Sequence, residues 1–275
     1  MLGYIIWDVG SNIFKLSENV PLIGGFTVRW YGLFFALSFI LGYMIIQKMF
    51  NKENIPEKIL DRLSTYMVIF TIVGARLGHC FFYEPHYFLS HPFEILQVWK
   101  GGLASHGAAA GILTGLFIFS KKYRLPFLWV MDRVVVPVAL AGFFIRMGNL
   151  MNSEIYGYQT SLPWGFVFVR AGETTPHHPT QIYEGLSYLL IFIFLCRYYK
   201  KHIDDGKLYD GKLFGYFLVL VFAMRFFIEF IKEPQEIWEQ HMILNMGQLL
   251  SIPLVLAGFV ILWYSHKRKK VFKNN

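Results

Sequence analysis

The stretch Ile243-Leu244-Asn245-Met246-Gly247-Gln248-Leu249-Leu250-Ser251-Ile252-Pro253-Leu254-Val255-Leu256-Ala257-Gly258-Phe259-Val260-Ile261-Leu262-Trp263-Tyr264-Ser265 carries no charged side chain. A helix rising 1.5 Å per residue needs about 20 such residues to cross the roughly 30 Å hydrocarbon core of a bilayer, and this run is long enough. Downstream it meets Lys267, Arg268, Lys269 and Lys270, so apolar chain gives way abruptly to a basic tail. Further apolar segments lie near residues 28–50, 59–83, 103–120, 126–147, 180–199 and 211–232, and the quoted run completes the set at 246–266. Gly101 to Ser120 is interrupted only by His106, whereas the second, fourth, fifth and sixth segments contain other ionisable residues. In hydrocarbon each backbone polar group must be satisfied within the segment, which a helix achieves. The pattern predicts an all-α, polytopic integral membrane protein with about seven transmembrane helices.

Composition agrees and excludes other classes. Of 275 residues, 55% are hydrophobic, 19% aromatic and only 16% charged, against roughly 25% charged in an ordinary soluble domain; the mean hydropathy is +0.42. The two cysteines, Cys80 and Cys196, cannot build a disulfide scaffold or a thiolate zinc cluster. They fall near opposite membrane faces, too far apart to pair. There is no CxxC, HExxH or Walker-type glycine loop. No basic region follows Met1, so no cleavable signal peptide is expected. Without repeats or low-complexity linkers, the chain reads as one membrane-embedded domain over 28–266. Residues 1–27, with Tyr4, Trp7 and Phe14 among polar neighbours, read as an interfacial segment, and 267–275 as a basic tail.

The net charge of +8 is first a topology signal, not a mark of nucleic-acid binding. Lys48, Lys52, Lys58 and Arg62, then Lys121, Lys122 and Arg124, then Arg197, Lys200, Lys201, Lys207 and Lys212 fall on the same side as the basic tail. Only Lys15, Arg29, Lys100, Arg170 and Lys232 fall on the other. The positive-inside rule then places the N-terminus outside and the C-terminus inside.

Ionisable residues within spans are costly and face cavities or partners. Arg76, His106, Arg146, Tyr183, Glu184, Arg225, Glu229 and Gln248 all project to the outer half of the bilayer. Arg225 lies roughly 10 Å below its outer helix end at 1.5 Å per residue. Asp132 and Arg133, near the inner face, read as a structural pair. Three arginines at headgroup depth suit a phosphate, which guanidinium grips in a bidentate fork without losing its proton. Simpler roles stand beside these. Arg225 and Glu229, at i and i+4, could neutralise each other; Arg76 could snorkel outward; and His106, flanked by Gly101, Gly102 and Gly107, could merely bond a neighbouring helix.

The densest polar cluster is Arg146-Met147-Gly148-Asn149-Leu150-Met151-Asn152-Ser153-Glu154-Ile155-Tyr156-Gly157. If helical, it puts Arg146, Asn149 and Asn152 on one face, a cation and two amides for one ligand; otherwise it is a solvated helix end stopped by Gly157. A second cluster, His177-His178-Pro179-Thr180-Gln181-Ile182-Tyr183-Glu184, has histidines too close together for good chelation, and Pro179-Thr180 reads as a helix start.

These motifs resemble the bacterial prolipoprotein diacylglyceryl transferases. The likeness rests on Trp30-Tyr31-Gly32, Gly74-Ala75-Arg76-Leu77-Gly78, Gly101 to Gly107, the Arg146 to Gly157 segment, His178 to Glu184, Arg225 with Glu229 and Pro234, and Met246-Gly247-Gln248. Its most specific part is R-x-G-N-x-x-N-x-E-x-x-G. The resemblance implies a seven-span enzyme of the bacterial inner membrane that moves the diacylglyceryl group of phosphatidylglycerol to the lipobox cysteine of a preprolipoprotein, releasing glycerol phosphate. By the same resemblance Arg146 and Arg225 are the essential arginines and His106 the base. Tyr31, Arg76, Asn149, Asn152, Glu154, Gly157, Gln181, Tyr183, Glu184 and Glu229 are expected to line the substrate site.

The residues fit that chemistry. A thiol of pKa about 8.5 is mostly protonated at neutral pH and gains from a base or positive potential. Phosphate departure held by arginines needs no cofactor in principle. Two positions depart from the family pattern: Ile145 replaces a glycine, and Val221 a tyrosine, whose role is then either absent or supplied by another residue such as Tyr183. A lipid transporter or flippase would use the same arginines but wants a site reachable from both sides. An intramembrane protease wants paired aspartates, a Ser-His pair or a zinc motif, which are not evident.

Overall fold

The computed structural model describes residues 3–17, 25, 27–98, 101–102, 104–234, 239 and 242–272. Its helices are α1 (Trp30–Lys52), α2 (Glu57–Phe82), α3 (Pro85–Ser90), α4 (Ser105–Tyr123), α5 (Phe127–Met151), α6 (Thr180–Ile203), α7 (Lys212–Ile228) and α8 (Met246–Arg268). Among the described residues, six are long and apolar enough to cross a membrane: α1, α2, α5, α6, α7 with its 3-10 extension to Ile231, and α8. Large side chains such as Leu190, Phe227, Leu256, Val260 and Trp263 are exposed on them. That is the expected surface when the solvent is lipid. The chain is a multi-pass membrane protein.

The expected third span, 103–120, falls on α4, which is not among the six. The reason lies in its residues. Gly107, Gly111 and Gly115 contribute little hydropathy, His106 opens the helix, and Lys121 and Lys122 close it. These glycines are there for packing. A Cβ on Gly74 would sit 2.5 Å from the Gly107 carbonyl oxygen, and one on Gly78 2.6 Å from the Gly107 Cα, so α2 and α4 touch backbone to backbone.

The contacts divide the chain into two units, 1–45 with 134–271, and 46–133 with 272–275. In the second unit, beside the α2–α4 pair, Arg133 donates to Glu53 through Nε (3.1 Å) and Nη2 (2.5 Å), and Trp129 Nε1 donates to the same carboxylate at 3.1 Å. The Arg133 guanidinium lies 4.2 Å from the Trp129 ring centroid. The expected structural role of Arg133 therefore centres on Glu53 more than on Asp132, whose oxygen is 3.9 Å away.

In the first unit α7 packs on α6 and α8, and Phe34 of α1 stacks on Phe144 of α5 at 6.0 Å. Asn245 caps α8 reciprocally with Gln248, each side chain accepting from the other's backbone N–H at 2.9 and 3.1 Å. The all-α reading misses four short strands. β1 (Ile5–Trp7) pairs in parallel with β4 (Phe166–Phe168), and β2 (Asn12–Lys15) pairs antiparallel with β3 (Thr27–Arg29). Trp7 stacks on Phe166 and donates to the Leu150 carbonyl at 3.0 Å, so the described part of the N-terminal segment is built into the unit.

Candidate active site

In the first unit the C-terminal ends of α5 and α7 and the N-terminal starts of α6 and α8 bring Arg146, Glu184, Arg225, Glu229, Lys232 and Gln248 to one end of the bundle. Arg146 Nε lies 2.6 Å from Glu184 Oε2, and Nη1 donates to Asn149 Oδ1 at 3.1 Å. Glu184, only 1% exposed, also meets Lys232 Nζ at 3.5 Å and accepts from the Tyr188 hydroxyl at 3.1 Å. Lys232 reaches Glu229 at 3.3 Å, so Glu229 takes Lys232 as its ion-pair partner in place of the expected Arg225. Buried carboxylates surrounded by several donors in this way are satisfied, and stripping one partner would be costly. Arg225 contributes positive potential to Glu184, while its buried Nε has no hydrogen-bond partner among the described residues.

The signature segment folds differently from a continued helix. α5 stops at Met151, so Asn152 lies just beyond it. The two amides nevertheless converge: Asn149 Nδ2 and Asn152 Nδ2 both donate to Glu154 Oε1, at 2.7 and 3.2 Å. The amides hold the carboxylate, and the carboxylate holds the turn. Ser153 (φ 53°) and Ile155 (φ 61°) adopt left-handed backbone, which for β-branched Ile155 costs about 1–3 kcal/mol. Gln181 Nε2 donates to the Glu154 carbonyl at 2.7 Å and Thr180 Oγ1 to the Ile155 carbonyl at 2.9 Å, anchoring the strained turn from α6. Gly157 does not stop the helix; it bridges to Lys232, and a Cβ there would lie 2.8 Å from Thr180 Cγ2.

Tyr31 opens α1 with its ring against Gly148, and its hydroxyl feels the charges of Glu154 and Arg146. Tyr183 points elsewhere: its hydroxyl accepts from Trp164 Nε1 at 3.0 Å and sits 3.3 Å from His178 Nδ1. Burial, and secondarily the neighbouring His177, lower the pKa of His178. The phenol inside the ion network is Tyr188, which also bonds Arg146. Neither Tyr188 nor Lys232 was singled out from sequence as part of the site. The available signal was helical spacing, Tyr188 four residues after Glu184 and Lys232 three after Glu229.

The other expected site residues, Arg76 and His106, belong to the second unit. Arg76 is 4% exposed and does not snorkel. Its Nε donates to the Ile95 carbonyl (3.0 Å), Nη1 to Gly101 (2.6 Å) and Nη2 to Glu94 (2.6 Å), with the Phe88 ring centroid 4.8 Å from the guanidinium. The guanidinium is thereby committed to shaping the segment after α2. His106 stands exposed in the first turn of α4.

A family model described as prolipoprotein diacylglyceryl transferase matches residues 19–264. The chain belongs to the prolipoprotein diacylglyceryl transferase family. Among curated relatives, proteins named phosphatidylglycerol–prolipoprotein diacylglyceryl transferase occur in Tolumonas auensis, Chloroherpeton thalassium and Porphyromonas gingivalis. The first is 47% identical over 248 residues, 90% of this chain and 95% of that protein. The second is 45% identical over 274 residues, covering 99% and 98%. The third is 46% identical over 270 residues, covering 93% of each.

Proposed function

We propose that the protein transfers the diacylglyceryl group of phosphatidylglycerol to the lipobox cysteine of preprolipoproteins in the bacterial inner membrane, with its site facing the outer leaflet. The observation that carries this reading is the ion network of Arg146, Glu184, Lys232 and Glu229 beside the buried Arg225 Nε, which has no hydrogen-bond partner among the described residues, built on the family's signature segment. A bond forms between the substrate sulfur and the glyceryl carbon while the bond from that carbon to the phosphate oxygen breaks. Glycerol phosphate leaves as an anion. Arg146 and Arg225 bind the lipid phosphate and stabilise the charge that develops on its oxygen, the setting in which fixed donors act most strongly. His106 receives the thiol proton. Glu184, Glu229 and Lys232 hold the arginines; Asn149, Asn152, Glu154, Gly157 and Gln181 hold the turn; Tyr31 borders it; and Tyr188 supplies the phenol expected at Val221. Arg76 builds the segment that follows α2. The N-terminus lies outside and the basic tail inside.

The test is incubation of purified protein with phosphatidylglycerol and a synthetic lipobox peptide, following peptide mass and glycerol phosphate, with Arg146→Ala as control. Thioether product matched by glycerol phosphate and lost in the control is expected. Folded protein that binds the lipid without making product would overturn the reading.

A further inference from the structure

Among the described residues, three buried side-chain polar atoms have no hydrogen-bond partner: Ser153 Oγ, Gln181 Oε1 and Arg225 Nε. Native proteins pair nearly all such atoms, so each exception asks for an explanation. Arg225 is assigned above to the lipid phosphate. The other two meet at one turn. Ser153 directly precedes Glu154, and Gln181 Nε2 donates to the Glu154 carbonyl at 2.7 Å. Glu154 is in turn tied to Arg146 through Asn149, whose Nδ2 donates to the carboxylate at 2.7 Å and whose Oδ1 accepts from the guanidinium at 3.1 Å. Both orphaned atoms therefore lie at the Arg146 end of the unit. Both residues are more than nine-tenths buried, Ser153 being 5% and Gln181 1% exposed.

Their chemistry defines what they take. A carbonyl only accepts, so the bond to Glu154 fixes the Gln181 nitrogen toward the turn and leaves Oε1 as an acceptor in need of a donor. An ionised phosphodiester has no hydrogen to give. A hydroxyl donates to Gln181 Oε1 and accepts from the Ser153 hydroxyl. An ammonium could also donate, but the carboxylate of this turn, Glu154, already accepts from two amides, and Arg146 adds like charge. Ser153 gives a second sign. Its φ of 53° lies in the left-handed region that glycine adopts without strain. Serine here bears a backbone penalty and an unpaired hydroxyl, both of which glycine would avoid. We propose that Ser153 and Gln181 form a subsite for the hydroxyls of the lipid's glycerol head, making them specificity-determining residues that favour a neutral head with hydroxyls over one without. That head is attached directly to the phosphate assigned to Arg146 and Arg225, and its three carbons carry the hydroxyls to the neighbouring turn. A lipid lacking them pairs neither atom, and a site built to bond a hydroxyl discriminates strongly against such an analogue.

The inference rests on the transferase reading, and the test separates the two. Purified protein in nanodiscs receives the lipobox peptide and equal amounts of phosphatidylglycerol and phosphatidylpropanol, one of them with deuterated acyl chains, so that the thioether mass reports which lipid was used. The two lipids share a singly charged phosphodiester and differ in the head hydroxyls. Wild type is expected to favour phosphatidylglycerol by at least about tenfold. Ser153→Gly is expected to close that ratio by about threefold to tenfold, with a Tm no lower than that of wild type. Equal use of the two lipids by wild type overturns the inference without any variant. An unchanged ratio in Ser153→Gly overturns it as well, and if both lipids slow alike the hydroxyl holds a resident water only. A lower Tm overturns it too, because the hydroxyl then has a partner within the chain. Wild type that makes no thioether from either lipid refutes the transferase reading instead. Native mass spectrometry of retained lipid still decides the subsite in that case: preference for phosphatidylglycerol that is lost in Ser153→Gly supports it, and equal retention overturns it.

Discussion

Arg146 and Arg225 differ in how much of their donor capacity the folded chain already uses. Arg146 is held by Glu184 and Asn149, whereas Arg225 keeps a buried Nε without a hydrogen-bond partner among the described residues. Loss of a donor aimed at developing charge costs about 100-fold to 1,000-fold in turnover. Arg146→Ala and Arg225→Ala are each expected to fall by at least about 100-fold in the peptide assay, and Arg225→Lys to recover little, because an ammonium cannot reproduce the planar fork. Glu184 has a different sensitivity. Glu184→Ala leaves Arg146 and Lys232 without their shared carboxylate and should cost about 3–5 kcal/mol of stability, seen as a lower Tm in detergent. His178 gives a pH signature. Its pKa is lowered in the folded protein, so as pH falls through the ordinary histidine range of about 6.5 the unfolded chain takes up the proton first and stability drops. The Tm gap between wild type and His178→Gln should therefore shift against wild type between pH 7.5 and pH 5.5, roughly the range in which a free histidine titrates. Glu233, whose pKa burial raises, acts in the opposite sense and is common to both proteins.

At the scale of the element, α4 shows that a helix can be short of hydropathy because it is rich in contact. Its glycines meet α2 where any side chain would collide with backbone. Gly74→Ala and Gly107→Ala should each cost about 1–3 kcal/mol, as overpacking does, and Gly74→Leu more. A thermal unfolding series in detergent decides this, since unchanged Tm values would show that the helices separate freely. The length of apolar runs located α1, α2 and α5 to α8 within a few residues, because a hydrocarbon solvent leaves few other options for an apolar run. It did not foresee that α5 ends at Met151. That boundary is set by the strained turn at Ser153 and Ile155, which bonds from Thr180 and Gln181 hold in place across a sequence gap that no helical pattern spans.

For the whole molecule, the distribution of lysine and arginine predicts an external N-terminus and an internal basic tail. Membrane-impermeant thiol labelling in intact cells should modify Lys15→Cys and spare Lys270→Cys until the membrane is opened; the reverse pattern would invert the topology. The class of protein, its helical segments and its family were legible in the chain alone. Apolar length is a local property, and the signature residues from Arg146 to Gly157 lie in one run. The set of partners was not legible. That Lys232 reaches Glu184, that Tyr188 joins Arg146 and that Arg76 holds backbone carbonyls are decided by where separate segments meet. A buried charge must find a partner to offset its desolvation, but residue identity states only that need, and the tertiary structure selects which of several eligible groups meets it.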